Sequence, residues 1–284
     1  MLRALAALVA LWPAVICAQA ERVTIRLAPA PGQRLHTRMA GEGHLVVEDE
    51  HRPTPPSPPF NLHLATTIGL TRVVGNESAE RRVDARVTVD DIKIDVTMNR
   101  GSTTSEPTVL TPLLGQLAGR QATMIYDADG RIRQLDTAGP SNIVLDDSLK
   151  VLVGSVFGIN GTLTLAVGES VTRPVDAAVP LIEYRDSRWT GDMRFTLNGI
   201  SQEGAARIAH MTTALSGGLT LVHNAPTPLG TLRLKGDGTL DVDLKRGVIT
   251  AAEQRVTLDG LLEYGLSGER LHAHGTMKMS QTTR

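Results

Sequence analysis

Polar and apolar side chains alternate with period two along most of the chain from Arg22 onward, the signature of half-buried β-strands. Residues 22–28 (RVTIRLA) predict a first strand, broken by Pro29 to Gly32. Residues 33–49 predict a second extended run with a glycine break at Gly41 and Gly43. Five prolines between Pro53 and Pro59 remove amide donors and fix φ, so this stretch predicts an exposed polyproline-like loop, either a stiff connector or a docking site. Residues 60–74 and 80–99 predict a long hairpin turned by Gly75-Asn76-Glu77-Ser78.

The second arm of that hairpin carries a register clue. Val83, Ala85, Val87 and Val89 are apolar at odd positions, whereas Ile92, Ile94, Val96 and Met98 are apolar at even ones. Strand side chains alternate faces, so one extra residue must be absorbed at Asp90-Asp91. A β-bulge does this and bends the strand, as a curved sheet requires. Residues 108–118 have the spacing of a short helix, weakened by Pro112 and Gly115. Residues 121–136 predict a hairpin turned at Ala128-Asp129-Gly130.

Residues 141–157 give the clearest helical pattern. Ile143, Leu145, Leu149, Leu152, Val153 and Val156 share one face, Ser141 or Asn142 can cap the N-terminus, and Asp146-Asp147 lies where the helix dipole favours acid. From Thr162 the pattern returns to strands, with turns expected at Ser201–Gly204, at Gly236-Asp237-Gly238 and at Arg246-Gly247. The last runs are LLEYGLS and RLHAHGTMKMS, in which Leu271, Ala273, Met277 and Met279 share one face and His272, His274, Thr276 and Lys278 the other. A strand–glycine turn–strand unit recurs in YDADGRIRQLD and VDLKRGVITAAEQ, so a single antiparallel domain over 21–284 and two similar halves joined by the 141–157 helix are both open.

The first twenty residues break this pattern. Arg3 precedes an apolar run from Ala4 to Ile16, and Ala18-Gln19-Ala20 offers a small-x-small cleavage site. This is the layout of a signal peptide removed after Ala20, which predicts a periplasmic or extracellular protein of bacterial type. The lone Cys17 lies inside that segment behind a bulky Ile16, which argues against lipid attachment and leaves the mature chain without a thiol. After Arg3 is subtracted, 28 basic face 30 acidic residues, so no charge excess points to nucleic acid or an anionic membrane. No later apolar run reaches the roughly 18 residues of a spanning helix. Seven scattered aromatics cannot form the two girdles of an outer-membrane barrel.

Candidate chemistry is sparse. His272 and His274 could offer two metal ligands, but no neighbouring acidic or cysteine run completes a set, so no metal or cofactor is expected. The acidic pairs Asp90-Asp91, Asp127/Asp129 and Asp146-Asp147 each have a local reason: bulge, turn and helix start. Asp127-Ala128-Asp129-Gly130 opens like a calcium loop, yet Arg131, Ile132 and Arg133 follow where ligands belong. Ser155 follows a glycine at a helix end and lacks the Gly-x-Ser-x-Gly context of a nucleophile elbow. The expectation is therefore a non-enzyme.

What remains is a long curved antiparallel sheet or half-open barrel, apolar on one face and covered by one or two short helices. In element order over much of 22–280 the chain resembles the lipoprotein-carrier superfamily of the bacterial envelope (the LolA/LolB type), though it is longer and has fewer aromatic rings. Its strand–Asp-x-x-Gly–strand unit at Tyr126 to Ile132 also resembles a secreted bacterial family of unknown function. The first resemblance implies a concavity for a lipid, an acyl chain or a lipidated partner. The residues expected to face it are Ile92, Ile94, Val96, Met98, Leu271, Met277 and Met279. The alternative is a structural or interaction protein of the cell envelope with a filled core.

Overall fold

A computed structural model describes residues 22–49, 58–100, 103–105, 115–138, 143–157, 161–178, 187–222, 228–264 and 269–284. The strands are β1 (Val23–Leu27), β2 (Arg34–Asp49), β3 (Phe60–Glu77), β4 (Val83–Arg100), β5 (Thr103–Ser105), β6 (Gln121–Tyr126) and β7 (Ile132–Ala138). After helix α1 (Ile143–Phe157) come β8 (Gly161–Leu165), β9 (Ser170–Ala178), β10 (Arg188–Glu203), β11 (Ala206–Val222), β12 (Pro228–Asp243), β13 (Val248–Tyr264) and β14 (Glu269–Thr283). Eleven strands form one antiparallel sheet in the order β7-β6-β4-β3-β2-β14-β13-β12-β11-β10-β9, and β5 adds to β4. The outer strands β7 and β9 do not pair with each other, so the sheet is open. β1 and β8 make a separate two-stranded ribbon. The signal segment, the proline-rich stretch from Pro53 to Ser57 and most of 108–118 lie outside the described residues. Of 108–118, the described part begins with a helical residue, Gly115, and continues as a turn.

The bulge read from the sequence is present. Gly69 pairs with Asp91 and Leu70 with Val89, leaving Asp90 as the extra residue. Its carboxylate accepts a 2.6 Å hydrogen bond from the Thr71 hydroxyl, so the displaced residue is held by a specific partner. Asn198 in β10 and Thr250 in β13 are similar insertions.

Three sequence expectations are corrected together. β2 runs unbroken through Gly41 and Gly43; β12 runs through Gly236-Asp237-Gly238, where a turn was expected; and β13 absorbs Asp259-Gly260 and the LLEY that follows. These glycines punctuate nothing, because they keep the phase of the apolar positions around them. Leu232, Leu234, Gly236, Gly238 and Leu240 share one face, as do Val256, Leu258, Gly260 and Leu262. On that face neighbouring backbones come close. A Cβ added at Gly275 would collide with the His44 carbonyl oxygen and lie 3.0 Å from the Leu45 Cα. A Cβ meets the adjacent backbone only where that strand tilts over the face to which the Cβ points. The apolar face is therefore the concave one, and glycine permits its curvature.

The concave face is filled at one end. There α1 buries Leu145, Leu149 and Val153 in a cluster with Leu35, Leu70, Val87 and Met124. Full burial of each such side chain is worth about 1.5–3 kcal/mol. Asp146, in the first turn of α1, pairs with Arg120 at 3.0 Å. Beside this cluster the β1–β8 ribbon places Ile25, Leu163 and Leu165 against Phe195, Leu197 and Met211. Farther along the strands the cover ends. In β2 the inward positions change from buried near Leu35 to half-buried beyond Met39, and β11 changes likewise beyond Leu215.

Candidate functional site: an open apolar trough

The sheet registers arrange the concave face into rows that cross the β2–β14 seam. One row runs Ile94, Thr66, Gly41, Met279, Gln254, Gly238 and Thr213. A cavity of about 1060 Å³ lies over this row and touches seven strands, from β4 to β11. Small side chains make the room. Glycine and threonine form most of the floor, so side chains that close the base elsewhere are missing here. The row on the base side contains Ile92, Ile68, Met39 and Leu240, and Ile92 packs on the α1 cluster.

The seven residues expected to face a ligand all lie on this concave face, at different heights. Ile94 and Met279 line the cavity. Val96 and Met277 share the next row outward with Leu64, Gly43 and Val256. Met98 follows with Leu62, Leu45, Gly275 and Leu258, and Leu271 lies farthest out, beside Leu262. Ile92 is at the closed end. Sequence reasoning overlooked Gly41, Thr66, Thr213, Gly238 and Gln254 because it sought large apolar groups. The available signal was the glycines in phase with the leucines.

The convex face is polar and joins several histidines to hydroxyls or carboxylates on adjacent strands. Thr71 lies 3.0 Å from His36 Nδ1 and also donates to Asp90. Ser201 Oγ lies 2.8 Å from His210 Nε2, and His210 Nδ1 lies 2.8 Å from Asp241 Oδ1. The connectivity is that of a Ser-His-Asp triad, but its setting differs from an acyl-transfer site. The three residues stand on neighbouring strands of an outward surface, His210 and Asp241 are each 39% exposed, and neither cavity described in this section touches them. Acyl transfer needs donors aimed at a developing oxyanion in a water-excluded site.

The carboxylate of Asp127 is also fully engaged. Its Oδ1 accepts from the Asp129 and Arg131 amides at 3.0 and 2.8 Å, and its Oδ2 accepts from Arg133 at 2.7 Å. Slight desolvation raises its pKa, but these donors outweigh it and hold the carboxyl below the usual range. The loop is an Asx-type turn closed by its own backbone. Inside the α1 cluster, Tyr126 is fully buried and accepts a 3.2 Å hydrogen bond from Arg72. Burial raises the phenol pKa, more than the neighbouring guanidinium lowers it.

A second cavity, of about 700 Å³, touches Glu48, Arg233, Asp259 and His272 toward the far ends of β2 and β12–β14. Here the pairing of β2 with β14 puts Glu48 opposite His272, with His274 on the same face.

No family model matches the chain, and no curated protein matches it. Among solved structures, one of lipovitellin concerned with lipid–protein interactions aligns at 9% identity and a TM-score of 0.47, covering 88% of this chain and 25% of that one. The translocator domain of the autotransporter NalP from Neisseria meningitidis aligns at 9% identity and a TM-score of 0.22, covering 89% and 88%. OpdQ of Pseudomonas aeruginosa aligns at 6% identity and a TM-score of 0.20, covering 89% and 99%. Likenesses this weak say nothing about ligand, location or chemistry. Among the described residues no helix is long and apolar enough to cross a membrane.

Proposed function

We propose that this is an exported, non-enzymatic protein that holds an apolar ligand, an acyl chain or the lipid of a lipidated partner, in the trough of its curved sheet. The observation that carries the reading is the change along one face from filled core to an open row over a 1060 Å³ cavity. That volume is at the upper end of the roughly 300–1,000 Å³ typical of ligand sites. The chemistry is suitable: Ile94 and Met279 offer apolar contact, and Gln254 and the threonines offer a few polar anchors. Each buried methylene contributes about 0.8 kcal/mol, so ten supply about 8 kcal/mol before the costs of ordering. Ile92, Val96, Met98, Leu271 and Met277 extend the same surface along the strands. The signal-like layout of the first twenty residues supports a periplasmic or extracellular site of action, and the sequence of the mature N-terminus tests it.

Purified protein is expected to release lipid on extraction and to bind a fluorescent fatty-acid probe. Ile94→Arg places a charge over the open row, where Ile94 is only half-buried, and should weaken the probe at least tenfold while the urea midpoint stays in place. Absence of both co-purified lipid and probe binding would sink the carrier reading. It would favour an envelope interaction protein, for which β7 and β9 provide open sheet edges.

A further inference from the structure

From the convex face, away from the trough, we infer that Glu48, His272 and His274 form a binding site for a divalent transition-metal ion of the zinc class. One nitrogen of each imidazole and one carboxylate oxygen of Glu48 lie within 4.8 Å of one another. Ligands about 2.0–2.1 Å from a tetrahedral ion stand roughly 3.4 Å apart, so the three close on an ion by rotamer adjustments of about 1 Å. The strands fix this meeting. His272 and His274 are two apart on β14, and Glu48 is the register partner of His272 on β2.

Two further observations point to a ligand. His272 Nε2 lies 2.9 Å from Asp259 Oδ2, and its Nδ1 faces Glu48 Oε1 at 3.6 Å. The ring is thus held between carboxylates on the strands to either side, Asp259 on β13 and Glu48 on β2, an acidic setting that suits a bound cation. A carboxylate behind a histidine is also how metal sites fix the tautomer and orientation of an imidazole ligand. The second observation is His274 Nδ1, which is buried and has no hydrogen-bond partner among the described residues. A buried ring nitrogen without a partner costs stability unless something outside the chain satisfies it. Two imidazoles and one carboxylate suit zinc, copper or nickel better than calcium, which takes six to eight oxygens. The adjoining 700 Å³ cavity leaves space for the remaining ligands of the ion, water or a partner's side chain.

The test is titration calorimetry of the chelator-stripped folded protein with Zn2+ alone, supported by the visible spectrum of the Co2+ form. One ion per chain is expected. Glu48→Gln, at an exposed residue, and His272→Ala should each weaken binding at least tenfold and remove the Co2+ band. Asp259→Asn, behind the ligand, should weaken it roughly 10–100-fold. Circular dichroism checks each fold, and if His274→Ala unfolds, the Glu48 and His272 variants decide. No binding by the parent protein, or binding unchanged in both Glu48→Gln and His272→Ala, overturns the assignment.

Discussion

Gly275→Ala tests the curvature argument at the seam between the two parts of the sheet. The added methyl would collide with the His44 carbonyl oxygen and lie 3.0 Å from the Leu45 Cα. Both are backbone atoms of β2, so no rotamer change can relieve the clash; β14 must separate from β2 along a pairing that runs from Leu271 opposite Asp49 to Thr283 opposite Thr37. Overpacking of this kind costs about 1–3 kcal/mol. Alanine recovers about 0.5–1 kcal/mol over glycine through its smaller loss of chain entropy. The net expectation is a loss on the order of 1–2 kcal/mol, read as a lower urea midpoint by circular dichroism. In a chain of this size that is a Tm lower by roughly 2–8 °C. Gly154→Ala is the matched control: inside α1, a Cβ there meets nothing within 4 Å, so the helix should gain about 1 kcal/mol. A Gly275→Ala midpoint at or above that of the parent would refute the claim that glycine is there for close approach of the strands.

Two further predictions follow from the buried tyrosine and the triad-like ladder. The raised Tyr126 pKa means that the folded chain holds its phenolic proton more tightly than the unfolded chain. Its contribution is intact below pH ~10 and is lost as pH rises through the folded value, so the urea midpoint should fall in alkali more steeply than in Tyr126→Phe. Equal slopes in the two proteins would contradict this assignment. At neutral pH, Tyr126→Phe should cost about 1 kcal/mol for the hydrogen bond from Arg72. A fluorophosphonate probe should leave Ser201 unlabelled despite its 2.8 Å approach to His210, because the ladder lies on an open surface. Labelling abolished by Ser201→Ala would reopen a hydrolase reading.

What the sequence disclosed was local in origin. The phase change at Asp90-Asp91 located a bulge because alternation is a short-range property, and the spacing of Leu145, Leu149 and Val153 located α1 for the same reason. The glycines misled because a strand-interior glycine and a turn glycine are the same residue; only the phase of the flanking leucines separates them. The cavity floor depends on six strand pairings at once, and no segment records that Thr66, Gly238 and Gln254 share a row. Glu48 is likewise remote in sequence from His272, and only the β2–β14 register joins them.

That same pairing has a kinetic consequence. Thr37 and Thr283, whose hydroxyls meet at 3.1 Å, are 246 positions apart. β2 therefore emerges during synthesis long before its second neighbour exists. Until β14 arrives, β2 presents a sixteen-residue edge to whatever strand comes first, including β14 of another copy. Such non-local closure makes folding slow, and it makes the waiting edge the place where a holding chaperone would act and where swapped dimers would begin.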